Sequence, residues 1–169
     1  MNKDKSSISY DQFYSWVTSG YKNFIDIQRT KSRIVETNEI FTSLDIVLYG
    51  LEHTYPVEHF KDPNIKYCDS CAGEGAWLVG MALKRMQHGM LHEDAISNLF
   101  SIDLMDDNRE ATIIRLLCNQ THLRERIESN FVSANGLRYH RRWDNCYPYD
   151  DELKKQQQEE RFDSLFDSI

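Results

Sequence analysis

Two carboxylates and a pair of glycines carry the chemistry most visible in this sequence. Asp69-Ser70-Cys71-Ala72-Gly73-Glu74-Gly75 is a run of small and polar residues leading from an acid into the apolar stretch that begins at Ala76. Such a bend lets a ligand approach the backbone and exposes the amide groups that open the next helix. Asp103 closes the short apolar run Leu99–Ile102, a place where an acid can take two hydrogen bonds from ribose hydroxyls. Together these residues suit a ligand built on a nucleoside. They do not spell the dinucleotide pattern G-x-G-x-x-G, because Leu78 stands where the third glycine belongs. The interval from Gly75 to Asp103 also exceeds the roughly 20 residues usual in that class.

Cysteine chemistry is the other possibility raised by spacing. Cys68 and Cys71 form a C-x-x-C pair, whereas Cys118 and Cys146 stand singly, with no second pair and no H-x-x-x-H. That falls short of the about four ligands a structural zinc site needs. The expectation is no metal and plain buried thiols, kept reduced in a cytoplasmic setting.

The elements that position these residues alternate. Tyr10, Phe13, Trp16, Val17, Tyr21, Phe24 and Ile25 recur at helical spacing and predict a core-facing helix over residues 10–32. A second helix is expected from about Ser43 to Leu51, with a connector bracketed by Pro56 and Pro63. Ile65–Cys68 reads as a buried strand, Ala76–His88 as a helix stopped by Gly89, and His92–Asn98 as a short extra helix. Leu99–Ile102 then forms a second strand, Asn108–Cys118 a third crossover-length helix, and Phe131–Ala134 a third strand. Strands alternating with helices imply an α/β fold with a wound parallel sheet. Lys84 and Arg85 read as surface charges. The run Arg138, His140, Arg141, Arg142 and Trp143 could meet phosphates or stack on a base, but reads first as a solvated loop.

In this order the segments resemble class I methyltransferases, specifically the N6-adenine DNA enzymes of restriction–modification systems and their phage relatives. The family's first motif is an acid, small residues, Gly-x-Gly, then an aromatic and Leu. Here it reads Asp69 through Gly73-Glu74-Gly75-Ala76-Trp77-Leu78, with Ser70 where proline is frequent. Asn38-Glu39-Ile40-Phe41-Thr42-Ser43 resembles the loop that closes over the cofactor's methionine end, and Ser101-Ile102-Asp103-Leu104 the strand whose acid grips the ribose. Ala134-Asn135-Gly136-Leu137 resembles the segment that contacts the adenine, with Asn135 in place of an acid. The resemblance covers about residues 33–137. It implies a partial Rossmann-like methyltransferase sheet of three to four mostly parallel strands with N-terminal helices. It implies S-adenosylmethionine as cofactor, with Phe41 and Thr42 closing over it, Asp69, Gly73 and Gly75 cradling the methionine portion, Asp103 on the ribose and Asn135 on the adenine. The organisation expected is a helical segment over 1–38, the cofactor-binding domain over 39–149 and an acidic helix or tail over 150–169.

The family's catalytic Asn/Asp-Pro-Pro-Tyr/Phe loop, which holds the flipped base, has no counterpart: there is no Pro-Pro among the three prolines. Asn145-Cys146-Tyr147-Pro148-Tyr149 is similar in letters only. Catalytic residues are therefore unassigned, and the chain reads as incomplete alone. Its end, Arg161-Phe162-Asp163-Ser164-Leu165-Phe166-Asp167-Ser168-Ile169, resembles the family's fourth strand. The same residues show helical spacing. Ser164-Leu165-Phe166-Asp167 also resembles the tails that dock on sliding clamps. The alternative function is thus a degenerate methyltransferase-fold interaction protein that docks through its C-terminal tail on a replication or transcription partner such as a sliding clamp, whereas the strand reading of residues 162–169 calls for a complementing chain or self-association. A third is methylation of a small molecule.

Charge limits DNA as a partner without excluding it. Lys and Arg total 20 against 27 Asp and Glu, a net −7, whereas duplex affinity rests on cations that neutralise phosphates. Residues 150–169 hold seven acids and three bases and so supply −4 of it. No run approaches the about 20 apolar residues of a membrane span, and the first ten residues have no apolar signal core, so no membrane association is expected.

Overall fold

The computed structural model describes residues 8–24, 42–134 and 136. The chain divides after Tyr139 into two units, and the described residues all belong to the first.

Helix α1 (Tyr10–Thr18) opens on a capping box. Ser9 Oγ accepts from the Gln12 amide (3.2 Å), and Gln12 Oε1 accepts from the Ser9 amide (2.8 Å). Phe13 and Val17, one turn apart, are fully buried. The single helix expected over 10–32 stops early. The hydroxyls of Thr18 and Ser19 donate back to the Tyr14 and Ser15 carbonyls (2.9 and 3.1 Å), a competition with the helix ladder that bends and ends helices. The chain then tightens into a 3-10 turn, Gly20–Phe24, which buries Tyr21 and leaves Phe24 55% exposed. Residues 25–32 lie outside the described residues.

Helix α2 (Leu44–Thr54) runs one turn beyond its expected end, and the bracketed connector contains a short helix α3 (Val57–Lys61) that buries Phe60. Strand β1 is Tyr67–Asp69, later than the expected Ile65–Cys68. Its neighbour sets that start, since Tyr67 pairs with Leu99 and donates to the Asn98 carbonyl (3.0 Å), while the Ile65 carbonyl is taken by Arg85. Then follow α4 (Ala76–Gln87), α5 (His92–Ala95), β2 (Leu99–Asp103), α6 (Asp106–Leu117), α7 (Arg124–Ile127) between two 3-10 turns, and β3 (Phe131–Ser133). The turns around α7 were not anticipated.

The three strands form a parallel sheet in the order β1-β2-β3, with Asp69 opposite Ser101 and Asp103 opposite Ser133. All five residues of β2 are buried, as expected of a central parallel strand covered on both faces. Helices α4 and α6 pack on each other and on the sheet, and α1 and α2 pack on α4. One apolar core runs from Phe13 and Val17 through Val47, Leu51 and Leu83 to Leu99, Ile113, Leu116 and Phe131. The chain is thus a mixed α/β protein with a three-stranded parallel sheet among the described residues; the fourth strand considered at residues 161–169 lies outside them. Among the described residues no helix is long and apolar enough to cross a membrane.

The surface role expected of Lys84 and Arg85 is overturned. Lys84 is 7% exposed and donates to Glu52 (2.8 Å), and Arg85 is wholly buried. The Arg85 guanidinium donates to the Ala95 carbonyl (3.0 Å) and to that of Ile65, and lies 5.1 Å from the Tyr67 ring centre. Backbone carbonyls and an aromatic face, invisible in a sequence, make this burial tolerable. The thiols divide: Cys118 is buried as expected, but Cys68, within β1, and Cys71, in the turn after it, are exposed. Cys146 lies outside the described residues.

Candidate functional site

The carboxyl ends of β1 and β2 meet at the glycine bend. Asp103 Oδ2 accepts from the Gly73 amide at 2.7 Å, and Oδ1 accepts from the Met105 amide (2.9 Å) and from Asn108 Nδ2 (3.2 Å). Asp103 is 8% exposed. The expected meeting of Asp103 with the bend is therefore present, but the carboxylate spends three of its roughly four acceptor positions on the protein. It ties the turn after β1 to the start of α6.

The glycines are also taken up by the fold. Gly75 stands at the N-cap of α4 with φ +71°, and a Cβ there would sit 2.4 Å from Thr112 Cγ2 of α6. Only glycine meets both demands without strain. Gly73, at φ +53°, gives its carbonyl to Thr112 Oγ1 (3.0 Å). From the other side, Arg115 Nη1 donates to the Glu74 carbonyl (3.2 Å) and Nε to the Val17 carbonyl (3.1 Å), while Tyr21 Oη donates to Glu74 Oε2 (3.2 Å). The N-terminal helical segment thus grips the bend directly.

The open space lies on the other side of β1. A cavity of about 410 Å³ is walled by Leu51, Thr54 and Tyr55 at the end of α2, by Tyr67, Cys68, Asp69 and Ser70 of β1 and its turn, and by Trp77, Leu78 and Met81 of α4. This volume falls in the range of small-molecule sites. Among the described residues that line it, Asp69 is the one carboxylate, and there is no Lys or Arg. Asp69 Oδ1 accepts from the Cys71 amide (3.1 Å), two residues on, which sets the turn. Among the described residues Oδ2 accepts from none. Burial pushes the Asp69 carboxyl above the ordinary carboxylate range; the Cys71 amide opposes this, and the nearby Asp103 charge adds to it. Three aromatic rings, Tyr55, Tyr67 and Trp77, share the walls.

Of the expected cofactor residues, the structure brings Asp69, Gly73, Gly75 and Asp103 together at the strand ends, with Asp69 alone among them lining the cavity. Thr42 precedes α2, half-buried, away from the cavity lining. Phe41 and Asn135 lie outside the described residues. Gly136 approaches the Ser70 carbonyl so closely that a Cβ would stand 2.2 Å from it, so the loop after β3 abuts the turn that walls the cavity. Sequence reasoning missed Thr54, Tyr55 and Tyr67 as wall residues. Their signal was weak: an aromatic before a proline and another opening a strand look like core. No protein-family model matches the chain, and comparison with curated proteins and with solved structures finds no match to either.

Proposed function

We propose that the chain is a methyltransferase-like α/β protein of Rossmann-like topology that binds S-adenosylmethionine at the carboxyl end of β1. The observation that carries this reading is the pairing of the cavity with Asp69: a carboxylate with one oxygen unspent, aromatic walls and no cationic side chain among the described lining residues. That chemistry suits an amino-acid moiety bearing an ammonium and a sulfonium, and it disfavours a phosphate-bearing ligand. Asp69 takes the ammonium, and the apolar side chains of Leu51, Leu78 and Met81 exclude water from the aliphatic portion. Asp103 acts in this reading chiefly through the bend it holds, with one acceptor position left for a ribose hydroxyl. The cofactor, when bound, supplies a methyl group on a positively charged sulfur. This chain has no recognisable residues to orient a methyl acceptor, so transfer to DNA adenine requires a catalytic loop from elsewhere. The alternative, a fold that serves only as an interaction scaffold, depends on residues 162–169, which lie outside the described residues.

Calorimetric titration of the full chain with S-adenosylmethionine is the test. Asp69→Asn preserves the turn, because asparagine accepts from the Cys71 amide equally well, but removes the charge. A charge-assisted hydrogen bond is worth about 1.5–3 kcal/mol, so binding should weaken by roughly ten- to a hundredfold. No heat from the wild-type protein at millimolar cofactor refutes the reading.

A further inference from the structure

We propose that Trp77 makes this cavity selective for a cationic ligand, favouring the sulfonium form of the cofactor over the neutral thioether left when the methyl departs. The proposal rests on the cofactor reading above and deepens it. Of the three rings in the wall, two already have aromatic or cationic partners. The Arg85 guanidinium lies 5.1 Å from the Tyr67 ring centre, and Tyr55 meets Tyr67 edge-on at 5.4 Å and Phe60 edge-on at 6.5 Å. Trp77 is different. It stands in the first turn of α4, 40% exposed yet part of the cavity wall, and among the described residues its ring stacks on no aromatic and no cation.

Its placement follows from its neighbours. A Cβ on Gly50 of α2 would come within 3.0 Å of Trp77 Cη2, so glycine at that position lets the indole lie against the helix backbone. Held there, the Cη2–Cζ3 edge of the ring meets α2, and the residue stays 40% exposed along the cavity wall. Trp offers the strongest aromatic face for a cation within about 6 Å of its ring. Asp69, in the same wall, supplies the negative charge that keeps the cavity attractive to cations and poor for anions. The two residues therefore divide the work: Asp69 meets an ammonium present in both forms of the cofactor, and Trp77 meets the sulfonium present in one.

This division makes the test separable. The full chain is titrated with S-adenosylmethionine and with S-adenosylhomocysteine, and the ratio of the two dissociation constants is read for the wild type, Trp77→Phe, Trp77→Leu and Asp69→Asn. The wild type should favour the sulfonium by about 3- to 30-fold. Trp77→Leu should bring the ratio near one, Trp77→Phe should retain part of the preference, and Asp69→Asn should weaken both ligands while leaving the ratio unchanged. A ratio unaltered in Trp77→Leu overturns the role of Trp77 and leaves the Asp69 reading standing. Failure of the wild type to bind either ligand overturns both. Because each variant is its own control, a loss of stability common to both titrations does not alter the ratio.

Discussion

Removing the Asp103 carboxylate should unfold this protein more readily before it reveals anything about a ligand. The carboxylate accepts from Gly73 at 2.7 Å, Met105 at 2.9 Å and Asn108 at 3.2 Å. In Asp103→Ala all three donors lose their acceptor. Gly73 and Met105 are only half-buried, so their amides can turn to water at a reduced cost. Asn108 is 1% exposed and cannot, and a hydrogen bond to a charged group contributes about 1.5–3 kcal/mol. Adding the weakened contacts of the other two gives about 3–5 kcal/mol, a large share of the about 5–15 kcal/mol that holds a domain together. With a urea dependence near 2 kcal/mol per molar, the midpoint should move by about 2 M. Urea unfolding followed by far-ultraviolet circular dichroism measures this, and Asp103→Asn, which keeps one acceptor, should fall in between. If Asp103→Ala unfolds at the wild-type urea concentration, the carboxylate is not the tie between β1 and α6 described above. The result also decides how binding data are read: a loss of affinity in Asp103→Ala reports on the bend unless the stability is known.

Gly75→Ala combines a left-handed backbone, costing about 1–2 kcal/mol, with a Cβ 2.4 Å from Thr112 Cγ2, overpacking that adds about 1–3 kcal/mol. Its cost should shrink by at least about 1 kcal/mol in a Thr112→Ala background, and strictly additive losses would show that the two do not touch. His92 is 2% exposed, its Nε2 bonded to the Leu116 carbonyl (2.9 Å) and its ring edge-on to Phe13 at 4.8 Å. Burial holds its pKa below the ordinary histidine value, against smaller opposing effects of the Leu116 carbonyl and Glu93. The unfolded chain, titrating near about 6.5, therefore binds the proton first as pH falls. The stability due to neutral His92 is full above that pH and is lost as pH drops through the folded pKa. The urea midpoint of wild type relative to His92→Gln should fall between pH 7.5 and 5, and a constant difference would remove the argument.

Periodicity found the elements whose cause is local. The Gly75–Ala76 start of α4, the Asp103 end of β2 and the length of α6 all follow from apolar runs bounded by glycine or acid. What escaped was set by distant partners. Arg85 is buried because carbonyls ten and twenty residues away accept from it, and the start of β1 was decided by where β2 begins. The site shows the same division. That Asp103 and Gly73 would meet was readable from two strand ends in a parallel sheet. That Asn108 and Met105 would claim the same carboxylate was not, since neither residue type announces a donor aimed backwards along the chain. The cavity shares Asp69, Ser70, Trp77 and Leu78 with the glycine-bend motif, but the part of its wall from α2 and the start of β1 carried no motif.

The two acids at these neighbouring strand ends differ in their hydrogen bonding, and the difference separates a structural role from a binding one. Asp103 is met by three protein donors. Among the described residues Asp69 is met by one; it sits beside that other carboxylate and has its carboxyl pushed up by burial. A group whose folded pKa is raised favours folding when protonated, so its contribution is fully present at low pH and is lost as pH rises through the folded value. Ionisation of Asp69 therefore works against the fold, a cost that a bound cation would offset and that under-compensated acids at functional sites commonly carry. Asp69→Asn should then be as stable as the wild type or more so at pH 7, while losing affinity for the ligand. Thermal or urea unfolding of that variant decides the matter: a loss beyond about 1 kcal/mol would mean that the charge holds the turn rather than waiting for a partner, and the binding role would pass to some other residue of the cavity.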